Sequence, residues 1–282
     1  MSDVTYGVSV VIVQDLPLDD GLGKIAAAGF TQVELVCNGR TFTNWWLDPE
    51  PLARALEVHG LRVRSVHSPY EGWNNDALDD PERKRSVDLT SAVLAPAATL
   101  GAEVVILHPN IPSAPMAGPA YDAAFARSVE SLRILAERAG EAGVRVALEN
   151  MPILDVARPG GSVVEALRMI DGLGDHVGIW VDAGHANANG IDPVAEVRAA
   201  GDRLFGVHIQ DNDGCGRDQH LIPGTGTITW SAFLAAVDEV APDAVRSFEI
   251  PAGEDGVEGR LHALGELRRR WTSPHPFSAG GG

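Results

Sequence analysis

Short apolar runs alternate with amphipathic stretches along the whole chain. The runs at 6–13, 32–36, 62–67, 104–108, 145–149, 177–182, 204–210 and 247–250 are rich in β-branched residues and predict eight strands. Between them the spacing predicts helices near 19–28, 49–59, 81–100, 119–142, 162–173, 192–200, 229–239 and 255–271. The clearest is the fourth, where Tyr121, Phe125, Val129, Leu132, Leu135 and Ala139 recur at three- and four-residue steps on one face. Pro49, Pro81 and Pro119 stand at helix starts, where a missing N–H costs nothing. Gly29, Gly60, Gly101 and Gly143 follow helices, where a left-handed cap favours glycine. Four times a glycine-ended helix leads into the next strand: GFTQVELV, GLRVRSVH, GAEVVILH and GVRVALEN. This is the βα rhythm of a parallel sheet, and eight units over about 270 residues match a single (β/α)8 TIM barrel. A doubly wound open sheet is the alternative. No Gly-x-Gly-x-x-Gly follows the first strand, so a nucleotide cofactor has no support. One barrel is expected over residues 1–272, with 273–282 (SPHPFSAGGG) as a disordered tail.

Composition narrows the class. At 282 residues and 45% hydrophobic, the chain has ample material for one large core. No apolar run approaches the roughly 18 residues of a membrane span, and the start, MSDVTYGVSV, carries no signal-like segment. The two cysteines, Cys37 and Cys215, lie far apart, which supports neither a disulfide framework nor a thiolate zinc site. A cytoplasmic enzyme is the expectation. The 22 basic residues face 39 acidic ones, a formal charge of −17. Gripping a phosphate backbone needs clustered cations, so the balance speaks against nucleic acid and for small neutral or metal-chelating substrates.

The candidate chemistry lies where the strands end, because strand ends at the carboxyl face of such a barrel line the active site. The third strand ends in His67 (SVHSPY), the fourth in His108 (VILHPN) and the fifth in Glu149 (VALEN). The sixth ends in Asp182 with His185 beyond it (WVDAGH). The seventh carries His208, and its loop carries Asp211, Arg217, Asp218 and His220 (FGVHIQDNDGCGRDQH). The eighth carries Glu249 (SFEI). Taken singly, each is an ordinary hydrogen-bonded strand end, cap or turn residue. Taken together, a shared metal site explains all of them with one assumption. Imidazole and oxygen ligands without thiolate suit manganese, magnesium, cobalt or zinc.

A divalent ion with open positions polarises a carbonyl or activates water. A substrate with adjacent C=O and C–OH groups can chelate such an ion, and its enediolate is then stabilised. Glu149 and Glu249, on different sides of the rim, can remove and return the proton, giving epimerisation or isomerisation. Schiff-base aldolase chemistry needs a strand-end lysine. The only lysines, Lys24 and Lys84, fall in predicted helices. Arg217 is open between a substrate contact and a surface ion pair. The turn Pro223-Gly224-Thr225-Gly226 is open between a phosphate cradle and a structural loop. Trp45, Trp46 and Trp73 are open between a wall against a sugar ring and ordinary packing. The proline-rich segment 109–119 reads as a semi-rigid lid, and both cysteines read as structural.

The ordered set VALEN, VDAGH, VHIQD, RDQHLIPGTG and FEI resembles the xylose-isomerase-like barrels, which include sugar phosphate isomerases and epimerases, ketose 3-epimerases and endonuclease IV. The resemblance spans about residues 6–271. In the ketose-epimerase branch it implies that Glu149, Asp182, His208 and Glu249 hold one divalent ion, often manganese. There Glu149 and Glu249 double as acid and base, while His185 and Arg217 contact substrate. In the endonuclease branch it implies a three-zinc set of His67, His108, Glu149, Asp182, His185, His208, Asp218, His220 and Glu249. The first strand, YGVSVVIV, lacks the Gly-Ala-His-type opening associated with that branch, and QDNDGCGRDQH sets one Arg against three Asp. The expected function is therefore a metal-dependent sugar or sugar-phosphate isomerase or epimerase acting on a small sugar or keto-polyol, in a homo-oligomer. The alternatives are a multi-zinc phosphodiesterase on abasic DNA and a lyase or dehydratase of the same fold. A non-catalytic barrel would be expected to have lost the carboxylate pair.

Overall fold

Eight parallel strands close into a barrel in sequence order. The computed structural model describes residues 4–38, 40, 42, 44–69, 80–109, 117–153 and 158–273. Trp73, most of the expected lid (110–116) and the tail beyond Ser273 lie outside the described residues. The strands are β1 (Gly7–Ser9), β2 (Gln32–Val36), β3 (Arg62–His67), β4 (Val104–Leu107), β5 (Arg145–Glu149), β6 (Val177–Asp182), β7 (Leu204–Ile209) and β8 (Val245–Phe248). The outer helices are α1 (Leu18–Ala27), α2 (Glu50–Val58), α3 (Asp80–Thr99), α4 (Pro119–Ala142), α5 (Val163–Met169), α6 (Ala183–Ala188), α7 (Pro193–Ala200), α8 (Trp230–Val240) and α9 (Gly256–Trp271). The four glycines expected to cap helices all have positive φ: Gly29, Gly60, Gly101 and Gly143.

Two expected strands are corrected. The first apolar run pairs only over Gly7–Ser9 and then turns into a 3-10 helix, Val10–Val13. Ser9 starts that turn by accepting from the Val11 N–H, and Val10, Ile12 and Val13 bury themselves against the helical layer. A short apolar run does not distinguish strand from buried helix by periodicity. The last strand begins two residues early, at Val245, because Arg246 hides the start of the apolar run. Its charge is met by Asp238 and its guanidinium lies 5.7 Å from the Tyr6 ring centre. Helix α6 is the third difference, since Asp182-Ala-Gly-His185 reads in sequence as an ordinary turn. The Asp182 side chain instead caps a short helix by accepting from the His185 N–H at 2.7 Å.

Most of the core lies between barrel and helices. A second cluster, Val104, Ile106, Ala147, Trp180, Phe205 and Val245, packs separately. Side chains two residues apart on a strand share a face. Hence Ser65, Ile106, Ala147, Trp180, Gly206 and Ser247 form a layer directly below His67, His108, Glu149, Asp182, His208 and Glu249. Trp180 is fully buried in that layer, with its ring centre 5.1 Å from that of His208. It fits because position 206 is glycine: a Cβ there would stand 2.1 Å from the Trp180 ring.

Candidate metal centre

The candidate residues come together in three groups. His67, His108 and Glu149 form one, Glu149, Asp182, His208 and Glu249 a second, and His185, Asp218 and His220 a third, with candidate ligand atoms within 4.8 Å of one another in each. Glu149 belongs to two groups. Its Oε1 meets His208 Nδ1 at 2.7 Å, while its Oε2 meets His108 Nε2 at 2.9 Å and His67 Nε2 at 3.4 Å. All nine residues of the expected set are therefore assembled. Arg217 is not: it pairs with Asp213 on an exposed loop.

Four of the five histidines are held by an outer acceptor that leaves the other ring nitrogen facing the cluster. His67 Nδ1 donates to the Ser68 carbonyl at 2.9 Å, and His185 Nδ1 to the Asn150 carbonyl at 2.8 Å. His220 Nδ1 donates to the Glu249 carbonyl at 2.7 Å, leaving Nε2 3.2 Å from Asp218. His220 does this with φ +47, a left-handed conformation that costs a non-glycine residue energy and is retained where the surroundings impose it. His208 donates from Nε2 to Glu34, at 3.0 and 3.1 Å, which leaves Nδ1 for the centre. Such outer partners fix tautomer and ring orientation in metal sites.

Sequence reasoning missed Glu34, Asn150 and Gln210, and it named Asp211 without its role. Glu34 is fully buried beneath the rim and also accepts from Ser65 Oγ at 2.8 Å. Its signal was a charge inside the buried run QVELV, which demands a partner. Asn150 locks β5 to β6, accepting from the Asp182 N–H at 2.7 Å and donating to the Asp182 carbonyl at 3.1 Å. Gln210 Nε2 donates to Asp182 Oδ1 at 3.1 Å and to Asp218 Oδ1 at 2.9 Å, bridging two groups. Gly184 makes room for it, since a Cβ would stand 2.0 Å from the Gln210 amide. Asp182 Oδ1 is thus occupied twice, whereas its buried Oδ2 has no hydrogen-bond partner. An orphaned carboxylate oxygen facing oriented imidazoles fits a cation. The nine donors therefore suit divalent metal by their chemistry.

Asp211 settles the Pro223–Gly226 turn in favour of structure. Its Oδ2 accepts from the Gly224 and Gly226 amides at 2.8 and 3.1 Å and from Trp230 Nε1 at 3.0 Å. Those amides are spent on protein. Trp45 is buried and donates to the Val36 carbonyl at 3.3 Å, so it packs rather than walls a pocket. Lys24 pairs with Glu258 and Lys84 with Asp88, both on outer helices as expected. Cys37 is buried and Cys215 exposed, both free. Among the described residues, no helix is long and apolar enough to cross a membrane.

The charges are closely balanced. Burial works against protonation of His208, but Glu249, Glu34 and Glu149 raise its pKa well above 6.5. Burial likewise opposes the His185 and His220 cations, yet Asp182 and Asp218 carry His185 well above 6.5, and Asp218 and Glu249 carry His220 to about 10. Burial would raise Glu149, but His208 and His108 hold it well below 4.5. Glu249 remains raised, because burial outweighs the pull of His208 and His220.

Comparison with known proteins agrees with this geometry. The family model for xylose isomerase-like TIM barrels matches residues 22–270. An uncharacterised protein of Methanocaldococcus jannaschii is 29% identical over 92% of this chain and 87% of its own length. A probable endonuclease 4 of Oleidesulfovibrio alaskensis is 33% identical over 69% of this chain and 70% of its own. Among solved structures, a D-tagatose 3-epimerase-like protein superposes with a TM-score of 0.81 at 26% identity, covering 94% of this chain and 96% of that one. With the barrel closed in family order and the rim residues in place, the chain belongs to the xylose isomerase-like TIM barrels.

Proposed function

We propose that this barrel is a multinuclear divalent-metal hydrolase of phosphate esters. The observation that carries this reading is the double commitment of Glu149. A base that shuttles a proton on a carbon needs an oxygen facing substrate. Both oxygens of Glu149 instead face imidazoles, Oε1 toward His208 and Oε2 toward His108 and His67. That is the arrangement of a carboxylate bridging two ligand groups. Nine ligands in three adjoining groups exceed what one ion uses.

His67, His108 and Glu149 would hold one ion, Glu149, Asp182, His208 and Glu249 a second, and His185, Asp218 and His220 a third. Such ions, when bound, supply Lewis-acid activation of a phosphoryl oxygen and of the attacking water. The chain's own groups do the rest. Glu34 and the Ser68, Asn150 and Glu249 carbonyls hold the imidazoles in register. Gln210 fixes the spacing between Asp182 and Asp218. Glu249 is the carboxylate suited to move a proton: its side chain is 16% exposed, and only Oε2 faces His208, at 3.3 Å. Its place at the solvent-reached edge of the group lets it take a proton from water and return it to the leaving oxygen. The chain's acidity favours a small phosphoester over a polynucleotide.

A single-ion ketose epimerase is the second reading. The quartet Glu149, Asp182, His208 and Glu249 and the D-tagatose 3-epimerase-like structure favour it. The test is metal content per chain by elemental analysis, alongside hydrolysis of p-nitrophenyl phosphate and bis-p-nitrophenyl phosphate and deuterium exchange into ketoses. Two or three ions with phosphoester turnover that chelator abolishes is the expected result. One ion, no hydrolysis and solvent deuterium next to a ketose carbonyl would replace this reading with the epimerase.

A further inference from the structure

Among the described residues, five arginines have a buried Nε outside normal hydrogen-bond geometry. Four of them have their charge met another way. Arg64 pairs with Glu103, Arg83 with Glu130 and Arg260 with Asp255, while Arg268 lies over the Phe30 ring at 5.5 Å. Arg158 is the fifth. Its guanidinium makes no ion pair, hydrogen bond or ring contact among the described residues, and only its carbonyl is used, accepting from Tyr121 Oη at 3.5 Å.

The position of Arg158 is built. It lies between β5, which delivers Glu149, and α5. On either side of it, the Met151 N–H donates to the Gly160 carbonyl at 2.8 Å. Glu165 Oε2 accepts from the Gly160 and Gly161 amides at 2.8 and 3.3 Å, and Asn189 Nδ2 ties the Met151 and Gly161 carbonyls together at 2.9 and 3.0 Å. This sets Arg158 beside the strand end that carries Glu149 and Asn150. The charge it feels is Asp218 of the third ligand group, which works against the lowering of its pKa by burial. Asp218 is itself committed to His185 at 3.3 Å and His220 at 3.2 Å. A part-buried cation without a counter-ion is costly unless an anion arrives.

We propose that Arg158 anchors the phosphate group of the substrate at the rim beside the His185–Asp218–His220 group. This rests on the phosphoester reading and names the charge its substrate carries. The planar guanidinium fork matches two phosphate oxygens. Arg217, the cation in the sequence beside these ligands, is spent on Asp213.

The test is calorimetric titration of metal-loaded protein with inorganic phosphate, comparing wild type with Arg158→Gln, Arg158→Lys and Arg217→Gln. Arg198→Gln, on an exposed pair with Glu239, is the control. Arg158→Gln is expected to weaken phosphate by about tenfold or more, the loss of a charge-assisted hydrogen bond. Arg158→Lys should recover part of it, and metal content should stay equal in all variants. Wild-type affinity in Arg158→Gln, a loss confined to Arg217→Gln, or no phosphate binding by wild type each overturns the proposal. Metal counts and the ketose exchange assay decide the phosphoester reading separately, so the two failures are distinguishable.

Discussion

At the scale of single residues, the rim is governed by which nitrogen of each imidazole points inward. His208 is the clearest case, because its outer nitrogen meets a carboxylate rather than a carbonyl. A carboxylate acceptor makes the ring more basic and orients it firmly. Glu34→Gln keeps the shape and removes the charge. It is expected to lower metal affinity by roughly 10- to 100-fold, read by competition with a chromogenic chelator, while circular dichroism stays unchanged. Unaltered affinity would show that His208 needs no such partner. Glu34 also marks a limit of sequence reading. Most ligands were legible because they stand at or just beyond the point where an apolar run stops, whereas Glu34 stands inside one. Its meaning depends on Ser65 and His208, which folding brings from β3 and β7. Arg158 left no periodic signal at all, lying in the loop sequence ARPGGS.

At the scale of elements, the segment after β7 behaves as a folded unit clasped around Asp211. The Asp211 and Leu221 backbones exchange hydrogen bonds at 2.9 and 2.8 Å, and the Asp211 carboxylate gathers the Gly224, Gly226, Ile228 and Trp230 donors. Asp218 and His220 ride on this clasp. Asp211→Ala would leave several buried donors without acceptors, at about 1–3 kcal/mol each. Urea unfolding should therefore show a loss of at least about 2 kcal/mol, and the metal count should fall as the third group loosens. A stable variant with full metal content would contradict this. Glycine and proline punctuation made most elements readable. The exceptions were tertiary: β1 gives way to a 3-10 turn that packs on the helices, and the start of β8 is masked by Arg246, whose partner Asp238 comes from α8.

At the scale of the whole molecule, a rim of carboxylates and imidazoles stores charge that metal must displace. His67, His185, His208 and His220 all have raised pKa values in the metal-free chain. A raised folded pKa gives stability that is complete below the ordinary value of 6.5 and lost as pH climbs through the folded value, about 10 for His220. The metal-free protein should therefore melt at progressively lower temperature from pH 6.5 to 10, with His220→Gln flattening the profile. Metal ligation needs neutral rings, so loading at pH 7 should release protons, detected by titration in buffers of different ionisation enthalpy. A flat profile and no proton release would mean that these rings are already neutral. The barrel could be read from eight strands and its rim from the ends of six of them, but how the ligands divide into groups could not. That division depends on Glu149 reaching sideways to both His108 and His208, a matter of barrel geometry rather than residue order.

The floor of the rim has one more consequence. Trp180 lies sealed beneath His208, ring to ring, in the space left by Gly206. An indole so placed is an optical reporter whose emission depends on what occupies the nitrogen above it. Cobalt or manganese arriving at the centre should quench a blue-shifted component of the fluorescence, and that component should vanish in Trp180→Phe. The state of the rim can then be followed in real time without any substrate.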